Sequence, residues 1–251
     1  MYFNNVHILI YVVISILGYF MGKLVNWCNY RLPKYQKIFS KDLFRTKDLE
    51  GYKPNLLLAL ITMLIYILLL YFLGIQKTFL GNLKLIKGLI LTPMLLSAFV
   101  IDYKLQIIPN RLNLTMFEIG IVLMFLAGVF NANIAIDMFF GMLAGAGVFL
   151  LITLIGGLVA GKEAMGFGDV KLMGALGIFF GLPNTIIITL MSFLIGAVLS
   201  IILLATKIRR TDEYIPFGPF IVIAAFIAMV VPFSTILSAL LFIFSLGMIR
   251  I

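Results

Sequence analysis

Two aspartates stand out among the ten acidic residues because each lies at the end of an apolar run, where a charge is costly. Asp102 closes one run and Asp169 opens another. Two carboxylates held close together cannot both ionise, so one keeps its proton while the other accepts a proton from water. Such a pair hydrolyses peptide bonds, with one carboxylate as general base and its partner polarising the scissile carbonyl. The same positions also fit two interfacial aspartates paired with Lys104 and Lys171, and spacing alone does not decide between these interpretations.

Neighbouring residues add further candidates. Gly166 and Gly168 precede Asp169, and their small size lets an extended substrate backbone approach closely. Glu118 lies within an apolar run and is a minor candidate, whereas Asp137 follows a short polar turn and is expected at an interface or a helix N-terminus. Five other acids stand in basic segments and are predicted to balance lysines and arginines there: Asp42, Asp48, Glu50, Asp212 and Glu213.

The composition places these residues in a membrane protein. Of 251 residues, 63% are hydrophobic and 12% charged, and the mean hydropathy is +1.17. Soluble domains are about half apolar and about a quarter charged, and disordered chains are polar, so both classes are excluded. One span takes about 20 residues. We therefore predict an all-α, polytopic transmembrane helical bundle of eight or nine spans, built as a single membrane-embedded domain over residues 1–251.

Two apolar runs have unusual features. Pro93 interrupts the run Leu85–Ile101, and the carbonyl that it leaves without a donor is predicted to be satisfied by a neighbouring helix. The run Leu172–Gly181 is too short to cross a membrane unless Asp169 to Lys171 join its helix.

The distribution of basic residues predicts the orientation. Segment 28–54 is expected to be a cytoplasmic loop because it holds seven of them: Arg31, Lys34, Lys37, Lys41, Arg45, Lys47 and Lys53. Alternating spans then put the N-terminus outside and both candidate aspartates at the cytoplasmic boundary. Segment Gly74–Gly88, with three lysines, is the exception. The net charge of +9 is explained in this way, and no nucleic-acid partner is expected.

The sequence lacks the residues that other kinds of catalytic or metal site require. The single histidine, His7, lies on the side opposite the basic loops, which excludes serine–histidine and HExxH zinc sites there. The single cysteine, Cys28, excludes internal disulfides and cysteine-paired zinc, and a packed thiol is the preferred interpretation. No metal and no cofactor is expected.

Four motifs follow one another along the chain: Gly18-Tyr19-Phe20-Met21-Gly22 leading to Tyr30-Arg31-Leu32-Pro33, Ile101-Asp102 with Ile108-Pro109-Asn110, the stretch from Glu163 to Leu172, and Ile215-Pro216-Phe217-Gly218-Pro219-Phe220. In this order they resemble the motifs of the bacterial type IV prepilin peptidase family, intramembrane aspartyl proteases of the GxGD class. The resemblance implies that Asp102 and Asp169 are catalytic. It also implies that prepilin or pseudopilin precursors are cut after a glycine at the cytoplasmic face of the bacterial inner membrane.

The first cytoplasmic loop departs from the family pattern. Larger members carry two CxxC pairs there, which bind zinc, and also N-methylate the new N-terminus with S-adenosylmethionine. This loop has only Cys28 at its edge, so the zinc site is missing. The sequence does not decide whether the chain methylates its product. An alternative function is a cation- or proton-coupled transporter that uses Asp102 and Asp169. The sequence gives no oligomeric state and no partner besides substrate and lipid bilayer.

Overall fold

The structure is a computed structural model that describes residues 2–4, 6–38, 52, 54–160, 165–206 and 215–245. Within these ranges there are nine α-helices: α1 (Ile8–Arg31), α2 (Leu56–Leu73), α3 (Phe79–Leu105), α4 (Asn110–Phe130), α5 (Ala132–Ala160), α6 (Phe167–Phe180), α7 (Leu182–Ala205), α8 (Gly218–Val230) and α9 (Phe233–Phe244). A 3₁₀ turn, Leu32–Lys34, extends α1 beyond Cys28, where the loop was expected to begin. The only strands in the described ranges are two-residue segments, β1 (Tyr2–Phe3) and β2 (Val6–His7), which pair antiparallel before α1.

The all-α membrane architecture is confirmed. Six helices, α1 to α5 and α7, are long and apolar enough to cross a membrane, and α8 and α9 are shorter apolar helices. The helix count agrees with the prediction of eight or nine spans. The basic loop lies mostly outside the described residues, as do Lys207–Tyr214 with Asp212 and Glu213, and also Asp42, Asp48 and Glu50. The chain divides into two compact units, Met1–Leu112 and Asn113–Ile251.

Small residues allow α1 and α2 of the N-terminal unit to pack closely. A Cβ on Gly18 would lie 2.8 Å from the Cα of Met63, and a Cβ on Gly22 would overlap the backbone of Ala59. Glycines four residues apart form one small-residue stripe on a helix, and such stripes bring membrane helices into backbone contact. In this unit α3 packs against both α1 and α2.

A tyrosine satisfies the carbonyl that Pro93 leaves without a donor. Proline has no N–H to give to the carbonyl four residues earlier, which is that of Leu89. The hydroxyl of Tyr66, on α2, donates to this oxygen at 2.6 Å. The prediction that a neighbouring helix satisfies the freed carbonyl is confirmed.

The connector before α3 is shorter than expected. Thr78 is the N-cap of α3, and its hydroxyl accepts the N–H of Gly81. Because this cap starts the helix well before Leu85, Lys84 and Lys87 are helical residues. Lys77 is then the one lysine left between α2 and α3, while Lys84 and Lys87 lie in the first turns of α3, at the same end of the helix.

In the C-terminal unit α6 is a central helix. It contacts α5, α7 and α8, and nearly all of its residues from Val170 to Phe179 are buried. A Cβ on Gly177 would overlap the backbone of Gly141 on α5, and a Cβ on Gly145 would overlap the carbonyl oxygen of Met173. The glycines therefore set the distance and the register between α5 and α6.

A carboxylate caps α7 from a different helix. Asp137 on α5 accepts the backbone N–H of Leu182 at 3.0 Å. The preceding residue, Gly181, has φ +75°, and a Cβ there would overlap the same carboxylate. The expected helix N-terminal role of Asp137 is confirmed, although the helix it caps is not its own.

Candidate active site

Asp102 lies in the last turn of α3. Its side chain is buried, with 5% of its surface exposed. Its carbonyl oxygen accepts the N–H of Gln106 at 2.8 Å, and Gln106 ends the helix in the left-handed conformation, with φ 55°. Ile101 and Ile108, on either side of this helix end, are also buried. The helix thus holds Asp102 within an apolar environment while residues 103–107 are exposed.

Asp169 lies in the first turn of α6. Gly166 is the extended N-cap, with φ −70° and ψ 140°, and its carbonyl accepts the N–H of Asp169 at 3.0 Å. The side chain is buried, with 4% exposed. A helix N-terminus stabilises a negative charge through its free N–H groups and dipole. Asp169 to Lys171 do join the short helix, as a crossing at this point requires.

The register of α5 and α6 shows how far Asp169 lies from the end of α5. Met173 faces Gly145, and the antiparallel register places Phe149 level with Asp169. From Phe149, α5 continues to Ala160, roughly 16 Å further at about 1.5 Å per residue. Asp169 is therefore held beside the middle part of α5, well short of the end of that helix.

Burial separates the two candidate aspartates from the other described acids. Four carboxylates lie in the described ranges, and only Asp102 and Asp169 are buried. Glu118 is exposed on α4. Asp137, a residue of α5, is half-buried, and its carboxylate lies at the start of α7. A buried carboxylate is costly and marks a functional position within a membrane.

The two candidate substrate-binding glycines lie beside Asp169. Gly166 caps α6 and Gly168 is its second residue, while Asp102 belongs to the N-terminal unit. Sequence reasoning missed Asn113, whose Nδ2 donates to the carbonyl of Gly168 at 3.2 Å. The available signal was an amide within the mostly apolar α4.

The first motif ends in a buried cation. Arg31, expected in a solvated loop, is 6% exposed, and its guanidinium lies 4.3 Å from the ring centre of Trp27. Arg31 Nη1 donates to the carbonyl of Lys37, and Trp27 Nε1 donates to that of Ile38. The rings of Trp27 and Tyr52 meet edge to face, and burial raises the pKa of the Tyr52 hydroxyl. This motif therefore anchors the start of the basic segment to α1.

The fourth motif contributes to an aromatic cluster in the C-terminal unit. Phe217 contacts the rings of Phe149, Phe193 and Phe220, with centroids 5.0 to 5.9 Å apart. A Cβ on Gly196 would lie 2.9 Å from the Phe220 ring, so this glycine makes room for the cluster. Because Phe149 is level with Asp169, the cluster packs α8 against the part of α5 that faces the first turn of α6.

Comparison with known proteins finds matches to the central part of the chain. Residues 89–201 match the type IV leader peptidase family. A protein of Aeromonas hydrophila named prepilin leader peptidase/N-methyltransferase is 34% identical over 142 residues, which cover 57% of this chain and 48% of that protein. Proteins of the same name are 38% identical over 149 residues in Pseudomonas aeruginosa (56% and 48% covered) and 33% identical over 168 residues in Pectobacterium carotovorum (65% and 58% covered).

The chain spans about half the length of the first of these relatives. No solved structure gives a significant match. The matched segment includes Asp102 and Asp169, whereas the first and fourth motifs lie outside it. Residues 89–201 of this multi-pass membrane protein are thus similar to the type IV leader peptidase family.

Proposed function

We propose that the chain is a membrane aspartic endopeptidase that removes the basic leader from type IV prepilin-like or pseudopilin precursors. The observation that carries the proposal is the burial of Asp102 and Asp169 within the segment that matches the family. The names of the relatives point to the same activity. These matches give no support to the transporter alternative.

In the proposed reaction the two carboxylates share one proton. The ionised carboxylate takes a proton from water, whose oxygen attacks the scissile carbonyl carbon. The protonated partner donates a hydrogen bond to the carbonyl oxygen, and its proton neutralises the developing charge. Collapse of the tetrahedral intermediate breaks the C–N bond, and the proton taken from water goes to the leaving amine. A coupled pair titrates as a unit, so the base role belongs to the pair.

The proposed substrate has a short basic leader, a glycine and a hydrophobic helix, and the cut follows the glycine. Gly166 and Gly168 are the proposed contacts for the extended backbone around the cut, because residues without a Cβ admit another chain closely. We place the protein in the bacterial cytoplasmic membrane, with the basic segments and the site facing inward. Residues 207–214, one of these segments, lie outside the described residues.

Cleavage by the protein in lipid vesicles tests the proposal. A peptide with a basic leader, a glycine and an apolar helix should be cut once, after the glycine. D102N and D169N keep the side-chain shape and remove the acid, so each should abolish the cut while the unfolding temperature is retained. E118Q is the matched control, because Glu118 is exposed on a helix of the same matched segment, and it should cleave as the wild type does. Unchanged cleavage by either aspartate variant would remove that residue from the mechanism.

Methylation is measured in the same assay. The mass of the released N-terminus, with S-adenosylmethionine present, reports whether a methyl group is added after the cut. The relatives are named for both activities, and this chain has one cysteine in place of the paired cysteines in the loop of larger family members. Our proposal is therefore confined to the peptidase reaction.

A further inference from the structure

A buried amide lies against the turn that carries Asp169. Asn113 is the fourth residue of α4 and is 1% exposed. Its Nδ2 donates to the carbonyl oxygen of Gly168, the residue directly before Asp169, at 3.2 Å. This bond joins the first turn of α4 to the first turn of α6.

The hydrogen bond from Asn113 is additional to the helical bond of Gly168. A carbonyl at this position of a helix already accepts the N–H four residues later, here that of Leu172. The oxygen of Gly168 would therefore have a partner without Asn113. What the amide adds is a fixed position for the turn, since it comes from a different helix.

The other half of the amide makes no such contact. Oδ1 of Asn113 is buried and has no hydrogen-bond partner among the described residues. A buried acceptor without a donor loses its hydrogen bonds to water and gains none in the protein, so its burial costs free energy. An apolar side chain of similar shape avoids that cost. Stability alone therefore favours leucine over asparagine at this position.

We propose that Asn113 is a positioning residue for the peptidase reaction. It holds the backbone at Gly168 and so fixes the direction in which Asp169 presents its carboxylate. The inference rests on the proposed function, and it assigns Asn113 no contact with substrate. Catalysis requires reacting groups to be aligned closely, so a shift of the turn affects turnover more than substrate binding.

The test compares N113L with a matched variant at the opposite end of α6. For N113L in lipid vesicles we expect kcat to fall about tenfold and the unfolding temperature not to fall, with a smaller change in KM, about twofold, because Gly168 is also a proposed substrate contact. Asn184 also donates its Nδ2 to a carbonyl of α6, that of Phe180, at 3.1 Å. N184L loses an amide-to-carbonyl bond that is local in the chain and far from Asp169, and its kcat should match that of the wild type.

Each outcome has a distinct meaning. Wild-type kcat in N113L overturns the inference, as does an equal fall in N184L or a fall in kcat that only accompanies a lower unfolding temperature. If N113L does not fold, N113A replaces it, with the same expected separation of kcat from stability. Failure of the wild type to cleave would refute the proposed function itself, whereas cleavage by the wild type and N113L alike would refute only the role of Asn113.

Discussion

The hydroxyl of Tyr66 replaces the hydrogen bond that Pro93 removes from α3. Tyr66 is buried, so its loss would leave the carbonyl of Leu89 without a donor in an apolar interior. We expect Y66F to lower the free energy of unfolding by about 1–3 kcal/mol, measured in detergent micelles.

The P93A background is the control for this prediction. Alanine restores the N–H that bonds the carbonyl of Leu89, so the cost of Y66F should shrink there, which gives a positive coupling in a double-mutant cycle. An equal cost of Y66F in both backgrounds would show that its hydroxyl does not serve this carbonyl.

At the scale of residues, the sequence predicts what a side chain needs more readily than which partner supplies it. Pro93 within an apolar run predicts a carbonyl without a donor. Tyr66, which supplies the donor, is distant in the chain, and nothing in the sequence around it indicates the contact. Asp102 and Asp169 could be singled out as candidates because a charge in an apolar run is conspicuous. Asn113 was missed because its importance comes from a contact with Gly168 across space.

Glycines on α5 and α6 set the position of the element that carries Asp169. We expect G177A to lower the free energy of unfolding by about 1–3 kcal/mol, because its Cβ would overlap the backbone of Gly141. Cleavage should also fall, since α6 cannot keep its distance from α5. Both effects are measured on the same preparation in vesicles.

Gly147 provides the control on α5. A Cβ there would meet nothing within 4 Å, so G147A should leave cleavage unchanged and gain up to about 1 kcal/mol from helix propensity. The explanation by close packing is wrong if G147A and G177A behave alike.

At the scale of elements, apolar runs predicted the helices well and their ends less well. Residues 56–73 form an uninterrupted, uncharged apolar run in the sequence, and α2 has the same bounds because Asn55 caps its start and Gly74 follows its end. The start of α3 was missed, because its first turns contain glycine, asparagine and lysine, and Thr78 was not recognised as a cap. The capping of α7 by Asp137 involves two helices and has no local signature.

The alternation of basic segments predicts the sidedness of the whole molecule. In a C28S background, Q36C and A132C each place a thiol at an exposed position. A membrane-impermeant maleimide added to intact cells should label A132C and not Q36C, and both should react after permeabilisation. Labelling of Q36C in intact cells, or protection of A132C, would contradict the predicted orientation.

At the scale of the molecule, composition was sufficient for the class of protein. An apolar content of 63% leaves a soluble monomer no means of covering its surface, and this required no motif. The division at Leu112, inside α4, was not predicted, because compactness depends on contacts between distant parts of the chain. The sequence assigned both aspartates to the reaction without showing that they belong to different units.

The asparagine pair between α1 and α2 suggests a place for inserting a reporter into this protein. Asn26 donates to the carbonyl of Asn55 and accepts its N–H, so the base of the first loop is closed by two hydrogen bonds. Because Asn26 lies in α1 and Asn55 is the N-cap of α2, these bonds hold the two helices together independently of the residues that connect them. An epitope or a fluorescent protein inserted between residues 39 and 51 should therefore leave this contact intact and give a reporter for following the protein in living cells.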